Sequence, residues 1–285
     1  TLAPLKPHYV STVDSGNLLG ALWTLNQGLE SLMQTPLLDA QAFAGLKDAG
    51  GILRQLTLEE GFSSLGVHTL DELLRAWESP PERVADALGL LRRTERSVSE
   101  LAEKARGSVA AQAGVAYWAG QVQSQLAAWL NIADRYFVWI EILAEKTEEE
   151  VAGLDPDAVA AFRQAIHHAP SLKDLANGKI ACIASLQTIR EQAPANECAL
   201  LGWIDRVMEA FDRSKWLAGE MLASVERLIQ SGRGLSESIN MHFLYNADRR
   251  LFSIGFNVSE GRDLAQSLLW GRIQTRSRNH GVFRL

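Results

Sequence analysis

The chain has 285 residues, of which 47% are hydrophobic and 22% are charged. This composition is ordinary for a globular protein with a substantial core, and it excludes an intrinsically disordered chain. The formal net charge of −6 argues against a nucleic-acid-binding or anionic-membrane surface, because such surfaces carry an excess of Lys and Arg. A neutral partner such as a sugar polymer is compatible with this charge.

The cysteines and the N-terminal sequence exclude further classes of protein. Cys182 and Cys198 form no CxxC pair, so neither a disulfide framework nor a structural zinc site is predicted, and a reducing compartment is favoured. No run of 18 apolar residues predicts a membrane span, and the N-terminus does not resemble a secretory signal. Because the chain begins with Thr1 rather than Met, we expect it to be a piece of a longer polypeptide.

The first predicted elements are an extended lead-in and a long helix. Two prolines among the first eight residues favour extended structure there. Apolar residues then recur every three or four positions from Leu18 to Leu29, which predicts a helix. It should end near Gln34, because Pro36 cannot continue it.

Helical periodicity then continues over most of the chain. The predicted helices cover residues 38–56, 71–77, 82–93, 98–145, 157–168, 171–192 and 195–230. Five tryptophans occur at helical core spacing, so we expect them to be buried rather than to stack on a ligand. They are Trp118, Trp129, Trp139, Trp203 and Trp216.

The pattern changes in the last fifth of the chain. Two glycines in Ser231–Gly234 predict a break in the helical run. Phe243–Tyr245 and Leu251–Phe256 then flank the mostly polar stretch Asn246–Arg250, which predicts a β-hairpin. The tail after Gly261 is rich in Arg and has no clear period.

These patterns predict a mostly α protein with a short β-hairpin near the C-terminus. The helical pairs would suit a helical bundle or an incomplete (α/α)6-toroid-like domain equally well. We divide the chain into a leading segment with the first helix (1–37), a helical region (38–234), a β-hairpin segment (235–262) and an atypical tail (263–285).

Two segments carry polar residues that a plain helix would not need. The first, residues 9–19, reads Tyr-Val-Ser-Thr-Val-Asp-Ser-Gly-Asn-Leu-Leu, and the second, residues 243–262, includes Phe-Leu-Tyr, Arg-Leu-Phe-Ser-Ile-Gly-Phe and Glu-Gly. Together they resemble the central, glycoamylase-like region of bacterial cyclic β-1,2-glucan synthases. In that family a segment similar to the first opens a helical domain, and one similar to the second follows a long helical stretch.

The resemblance implies a parent enzyme that transfers glucosyl units and processes or cyclises β-1,2-glucan by transglycosylation. Its partners would be the β-glucan substrate and the rest of the parent polypeptide, on the cytoplasmic side of the bacterial inner membrane, with no cofactor bound by this region. We expect the chain by itself to be inactive and not to bind nucleic acid. Two alternatives stay open: a non-catalytic helical scaffold or interaction module, and part of a β-1,2-glucan hydrolase.

The candidate site residues come from the same two segments. Cleaving a glycosidic bond requires a pair of carboxyl groups, one on each side of the bond. Asp14 and Asn17 are candidates to bind sugar hydroxyls, although Asp14 could instead cap the first helix. Trp23 is a third candidate for substrate binding, and Glu260 is a weak catalytic candidate. Asp248 is expected simply to form a turn.

The tail is where the chain departs from the family pattern. Relatives continue after the Glu-Gly pair into a helix that contains Tyr and Asp, whereas this chain becomes rich in Arg. A reading-frame slip would give such a change. The departure predicts that the chain lacks a complete catalytic pair.

Overall fold

The computed structural model describes residues 6, 8–59, 66–107, 113–147, 156–192 and 197–263. Most of these residues are helical, and a two-stranded antiparallel hairpin lies near the C-terminus, so the predicted mostly α class is confirmed. The tail from residue 264 onwards and most of the predicted N-terminal lead-in lie outside the described residues. In the part of the chain that is described, no helix has both the length and the apolar character needed to cross a membrane.

The helices follow the predicted order with shifted boundaries. Their bounds are α1 Thr12–Leu32, α2 Ala40–Glu59, α3 Val67–Glu78, α4 Val84–Gly107, α5 Ala113–Tyr136, α6 Val138–Leu143, α7 Pro156–His167, α8 Leu172–Asn177, α9 Ala181–Gln192 and α10 Cys198–Ser238. The single helix predicted over 171–192 is instead α8 and α9, and the one predicted over 98–145 is instead the second half of α4 followed by α5 and α6. Gly178 ends α8 in a left-handed conformation (φ 66°), which a residue with a side chain rarely adopts.

The predicted break at Ser231–Gly234 is wrong, because α10 continues to Ser238. Gly232 is buried, and a Cβ atom added there would lie 3.1 Å from Cγ of Asn26. The glycine therefore lets α1 approach α10 closely. Here tertiary packing overrides the low helix propensity of glycine.

The chain forms two compact units, Leu32–Ser224 and the pair of segments Thr1–Ser31 and Val225–Leu285. We call the first the helical unit and the second the sheet unit. The helical unit has the larger core, to which helices α2 to α9 and the first part of α10 contribute. Trp139 is buried there in an edge-to-face contact with Phe211, with ring centroids 5.5 Å apart.

The prediction that five tryptophans lie in the core holds for four of them. Trp139 and Trp203 are buried, and Trp118 and Trp129 pack against the core while partly exposed. Trp216 is 66% exposed, so the prediction is wrong for this residue. Helical spacing alone could not distinguish the inner face of α10 from its outer face.

The sheet unit contains the predicted hairpin and a sheet that was not predicted. The hairpin consists of β2 (Tyr245–Asn246) and β3 (Leu251–Phe252). The three-stranded sheet has the order β1-β4-β5, in which β1 is Tyr9–Ser11, β4 is Gly255–Asn257 and β5 is Arg262–Asp263. Both of its strand pairs are antiparallel, and Val10 lies opposite Phe256.

Candidate functional site

The two motif-bearing segments, residues 9–19 and 243–262, are hydrogen-bonded to each other. Strand β1 from the first segment pairs with β4 from the second, and Tyr9 lies opposite Asn257. The contact extends beyond the strands at both ends. The amide of His8 donates to Oγ of Ser259 at 2.9 Å, and the hydroxyl of Thr12 donates to the carbonyl of Ser253 at 2.5 Å.

Gly255 makes this close pairing possible. A Cβ atom added at this position would lie 2.5 Å from the backbone oxygen of Val10 and would also collide with the Tyr9 ring. Real Cβ atoms essentially never come so close to a backbone atom. The glycine in the Ser-Ile-Gly-Phe sequence is therefore required by its neighbour across the sheet.

Asp14 lies in the first turn of α1, but it is not the residue that caps the helix. Ser11 has that role, since its hydroxyl accepts a hydrogen bond from the Asp14 amide at 3.2 Å. The Asp14 carboxylate is exposed and accepts no hydrogen bond from any residue that the structure describes. Its negative charge suits the N-terminal end of the helix. The carboxylate is therefore available to a ligand.

Asn17 is exposed one turn further along α1, and no described residue bonds to its side chain. Residues three positions apart lie on adjacent parts of a helix surface. Asp14 and Asn17 therefore present three acceptor oxygens and two amide N–H donors close together, a combination suited to neighbouring hydroxyl groups.

Trp23 cannot join Asp14 in one compact site. The two residues are nine positions apart on the continuous helix α1. At about 100° and 1.5 Å per residue, Trp23 points to the opposite side of the helix and lies about 13 Å further along it. Trp23 is 58% exposed, so any ligand contact it makes would be separate.

Glu260 lies at the other end of the strand pair from Asp14. It belongs to the turn between β4 and β5, where its amide donates to Oδ1 of Asn257 at 3.1 Å and Gly261 has a positive φ of 65°. The Glu260 end of the strand pair lies beside His8, and α1 starts at Thr12. At the usual rise of a strand, the distance from residue 8 to residue 12 is about 13 Å. Asp14 and Glu260 are thus not arranged as a pair around one glycosidic bond, which needs carboxyl groups about 5–9.5 Å apart.

Asp248 lies in the exposed turn of the β2–β3 hairpin, as expected. The side chain of Asn246 accepts the amide of Arg249 at 3.0 Å, and Arg250 has a positive φ of 53°. These features are typical of a tight turn, so the geometry gives Asp248 no further role.

Sequence reasoning missed an aromatic surface on the hairpin. Tyr245 and Phe252 lie opposite each other in the ladder, with ring centroids 5.4 Å apart, and both rings are substantially exposed. Phe243 is also exposed and makes a similar edge contact with Phe256. The predicted hairpin contained the signal, because residues facing each other across a two-stranded ladder share one surface.

The helical unit contains a cavity with side chains of the type used in nucleophilic catalysis. A cavity of about 230 Å³ is lined by Cys182, His168 and Asp174 among others. Burial raises the pKa of the Cys182 thiol to about 12, however, so the thiolate that would act as nucleophile is disfavoured. Asp174 is already engaged in the capping box of α8 with Ser171. The cavity lacks an activated nucleophile.

A groove of about 690 Å³ between α2 and α3 is lined by charged residues that pair with one another. Lys47 binds Glu78 at 2.8 Å, and Arg54 binds Asp71. The hydrogen bonds from these cations hold the pKa values of Glu78 and Asp71 below their usual range. The two ion pairs therefore connect α2 to α3, and the groove between these helices presents little uncompensated charge.

Among the described residues, no group of three or more His, Cys, Asp or Glu side chains could hold a metal ion. No protein-family model matches the chain. No curated protein is significantly similar to it in sequence.

Proposed function

We propose that the chain is part of a cyclic β-1,2-glucan synthase, from the glycoamylase-like region that processes the linear glucan. In this proposal the sheet unit carries a glucan contact at the start of α1, formed by Asp14 and Asn17. The parent enzyme would transfer glucosyl units and close the ring at the cytoplasmic side of the bacterial inner membrane. The rest of the parent polypeptide would supply the missing catalytic groups.

The observation that supports the proposal is the direct pairing of β1 with β4. Strands β1 and β4, one from each of the two segments that resemble the family, are at least 244 positions apart in sequence, yet they pair in one small sheet. Two segments can contact the same ligand only if they lie next to each other, as these two segments do in the sheet. The Asp14 carboxylate and the Asn17 amide add polar groups beside this sheet that no described residue occupies.

The same geometry favours binding over turnover by this chain. Transglycosylation needs a protonated and an ionised carboxyl group on either side of the scissile bond. Asp14 and Glu260 lie at opposite ends of the strand pair, so neither provides the second group for the other. We therefore expect the chain to bind linear β-1,2-glucan weakly and to release no product.

The binding claim is tested by titrating linear β-1,2-glucan into the purified chain in a calorimeter. Replacing Asp14 by Ala, or Asn17 by Ala, should weaken binding by roughly 10-fold each, which is the usual effect of removing one ligand hydrogen bond. Gln27→Ala is the matched control, because Gln27 is exposed on the same helix three turns away. Unchanged affinity in the Asp14→Ala and Asn17→Ala proteins, or equal binding of an unrelated α-glucan, would count against the proposal.

A non-catalytic helical scaffold is the second candidate, and one observation favours it. The helical unit spans Leu32–Ser224 without interruption and has its own buried core, whereas the sheet unit takes a segment from each side of it. A domain inserted in this way often serves assembly rather than chemistry. Deleting the glucan contact would leave such a function intact.

The third candidate, part of a β-1,2-glucan hydrolase, differs from the first in its product. A synthase region transfers the cleaved chain to a sugar hydroxyl and forms rings, whereas a hydrolase transfers it to water. An extended polypeptide that contains this chain, incubated with linear β-1,2-glucan, distinguishes them by the mass of the product, because cyclisation leaves it 18 Da lighter than the linear chain of equal length.

A further inference from the structure

Helix α1 carries a continuous row of leucines. Leu18, Leu22, Leu25, Leu29 and Leu32 are separated by alternating steps of four and three residues, the spacing of a heptad repeat. Leu18, Leu25 and Leu32 are between 55% and 64% exposed. We call these three residues together with the half-buried Leu22 and Leu29 the leucine row.

The leucine row is exposed although α1 already has a packing partner. Asn26 is 4% exposed and packs on Gly232 of α10, and Glu30 forms an ion pair with Arg233 of the same helix. At about 100° per residue, Leu25 and Leu18 lie about 100° and 80° around α1 from Asn26. The row therefore occupies a second face of α1, beside the one that contacts α10.

Helix α10 repeats the pattern near its C-terminus. Leu228 and Leu235 are seven residues apart and 59% and 58% exposed. A seven-residue spacing keeps apolar side chains in line along a partner that is itself a helix. A flat or irregular partner would not require it.

We propose that these leucines form an interface between two copies of this chain, in which the α1 and α10 rows of one copy pack on those of the other. Five exposed leucines would each remove on the order of 100 Å² of apolar surface from water. A symmetric pair would then bury about 1,000 Å² in total, the lower bound for a specific interface. A two-fold arrangement uses the same rows in both copies.

The charges near the row do not oppose this pairing. The only charged residues of α1 are Asp14 and Glu30, and Glu30 is already compensated by Arg233. Two copies can therefore bring their α1 helices together without a run of like charges. With only two charged residues, α1 largely lacks the repulsion that usually keeps an exposed helix monomeric.

The test is the mass of the full chain in solution, measured by light scattering and sedimentation over a range of concentrations. We expect a dimer that dissociates on dilution. Leu25→Glu should weaken dimerisation by at least about 100-fold, since it would bury an unpaired charge at the centre of the interface. Leu228→Glu should do the same from the other helix, and each variant should keep the wild-type helical circular dichroism.

Thr24→Glu is the matched control, because Thr24 is exposed on α1 but lies about 100° away from Leu25. It should leave the dimer intact. A monomer at all concentrations would overturn the proposal and leave the leucine row to a helix from another polypeptide. Polydisperse aggregates that Leu25→Glu does not dissolve would overturn it as well. Asp14→Ala should weaken glucan binding but not the dimer, so the two proposals can fail independently.

Discussion

At the scale of single residues, Cys182 and Cys198 differ in their access to water. Cys182 is buried in the helical unit, where desolvation raises its pKa from 9.0 to about 12, whereas Cys198 is exposed at the start of α10. A raised pKa means that the protonated thiol persists to higher pH, and the protonated form is a poor nucleophile.

We therefore predict that only one thiol of the native chain reacts rapidly with a disulfide reagent at pH 8. Unfolding in urea should expose the second, and Cys198→Ser should abolish the fast reaction while leaving the slow one. Cys182 should stay slow at this pH, because its side chain is buried and its pKa of about 12 leaves very little thiolate there. Two fast thiols in the native protein would contradict the burial of Cys182.

The contact between Asn26 and Gly232 explains, also at the scale of residues, why the predicted helix break is wrong. A Gly-Arg-Gly sequence normally predicts a helix end, since glycine has low helix propensity. Here Gly232 accepts Asn26 at a range that a Cβ atom would not allow, so the interhelical contact favours the helix that propensity disfavours. A sequence contains the glycine but not the residue 206 positions earlier that packs on it.

At the scale of elements, Arg92 of α4 joins two other helices. Its guanidinium donates to both carboxylate oxygens of Glu141 in α6, at 2.5 and 2.8 Å, and to Asp134 in α5 at 2.8 Å. The hydrogen bonds that Glu141 and Asp134 accept raise the pKa of Arg92, so the arginine stays charged at any working pH. A two-point contact of this kind fixes orientation as well as distance.

We predict that Arg92→Ala lowers the free energy of unfolding by about 1–2 kcal/mol, because the partly buried Glu141 and the exposed Asp134 lose their common partner. The matched control is Arg96→Ala in the same helix. Arg96 pairs with Glu100 one turn away, and its side chain is almost fully exposed, so the urea midpoint should not change measurably. Equal effects of the two substitutions in urea unfolding would show that Arg92 does not hold the helices together.

The elements also show which parts of the structure a sequence can predict. Apolar periodicity identified the helices, because each buries one face and the repeat is local. The hairpin was predicted for a similar reason, since its two strands are separated by only four residues. Strand β1 was not predicted, because its partner lies about 245 residues away and three residues carry no pairing signal of their own.

The candidate site, too, could be predicted from the sequence only in part. Motif similarity led to Asp14, Asn17 and Glu260, and the pairing of β1 with β4 brought their segments into one sheet. Helical geometry then separated Trp23 from Asp14, and strand geometry separated Glu260 from it. The two motifs name polar residues but give no distances between them. The sequence could therefore not show whether Asp14 and Glu260 share one site or lie at opposite ends of the β1–β4 pair.

At the scale of the whole molecule, the chain supports two compact units with different kinds of stabilisation. The helical unit rests on a large apolar core. The sheet unit depends more on the few hydrogen bonds between β1, β4 and their flanking residues, together with the contact of Asn26 with Gly232. We therefore expect loss of the sheet to open the sheet unit first, because proteins open locally in cooperative segments.

Gly255→Ala tests this division. The added methyl group would collide with the Val10 carbonyl, so we predict a loss of about 1–3 kcal/mol in the sheet unit. Hydrogen exchange read by mass spectrometry should accelerate at residues 9–12 and 253–258, while the amides of α5 stay as protected as in the wild type. Gly20→Ala is the control, because a Cβ atom there meets nothing within 4 Å. It should stabilise α1 by about 0.5–1 kcal/mol, since alanine favours a helix over glycine. Faster exchange in α5 of the Gly255→Ala protein would mean that the two units unfold as one, because the clash lies entirely within the sheet and could reach α5 only through a shared opening.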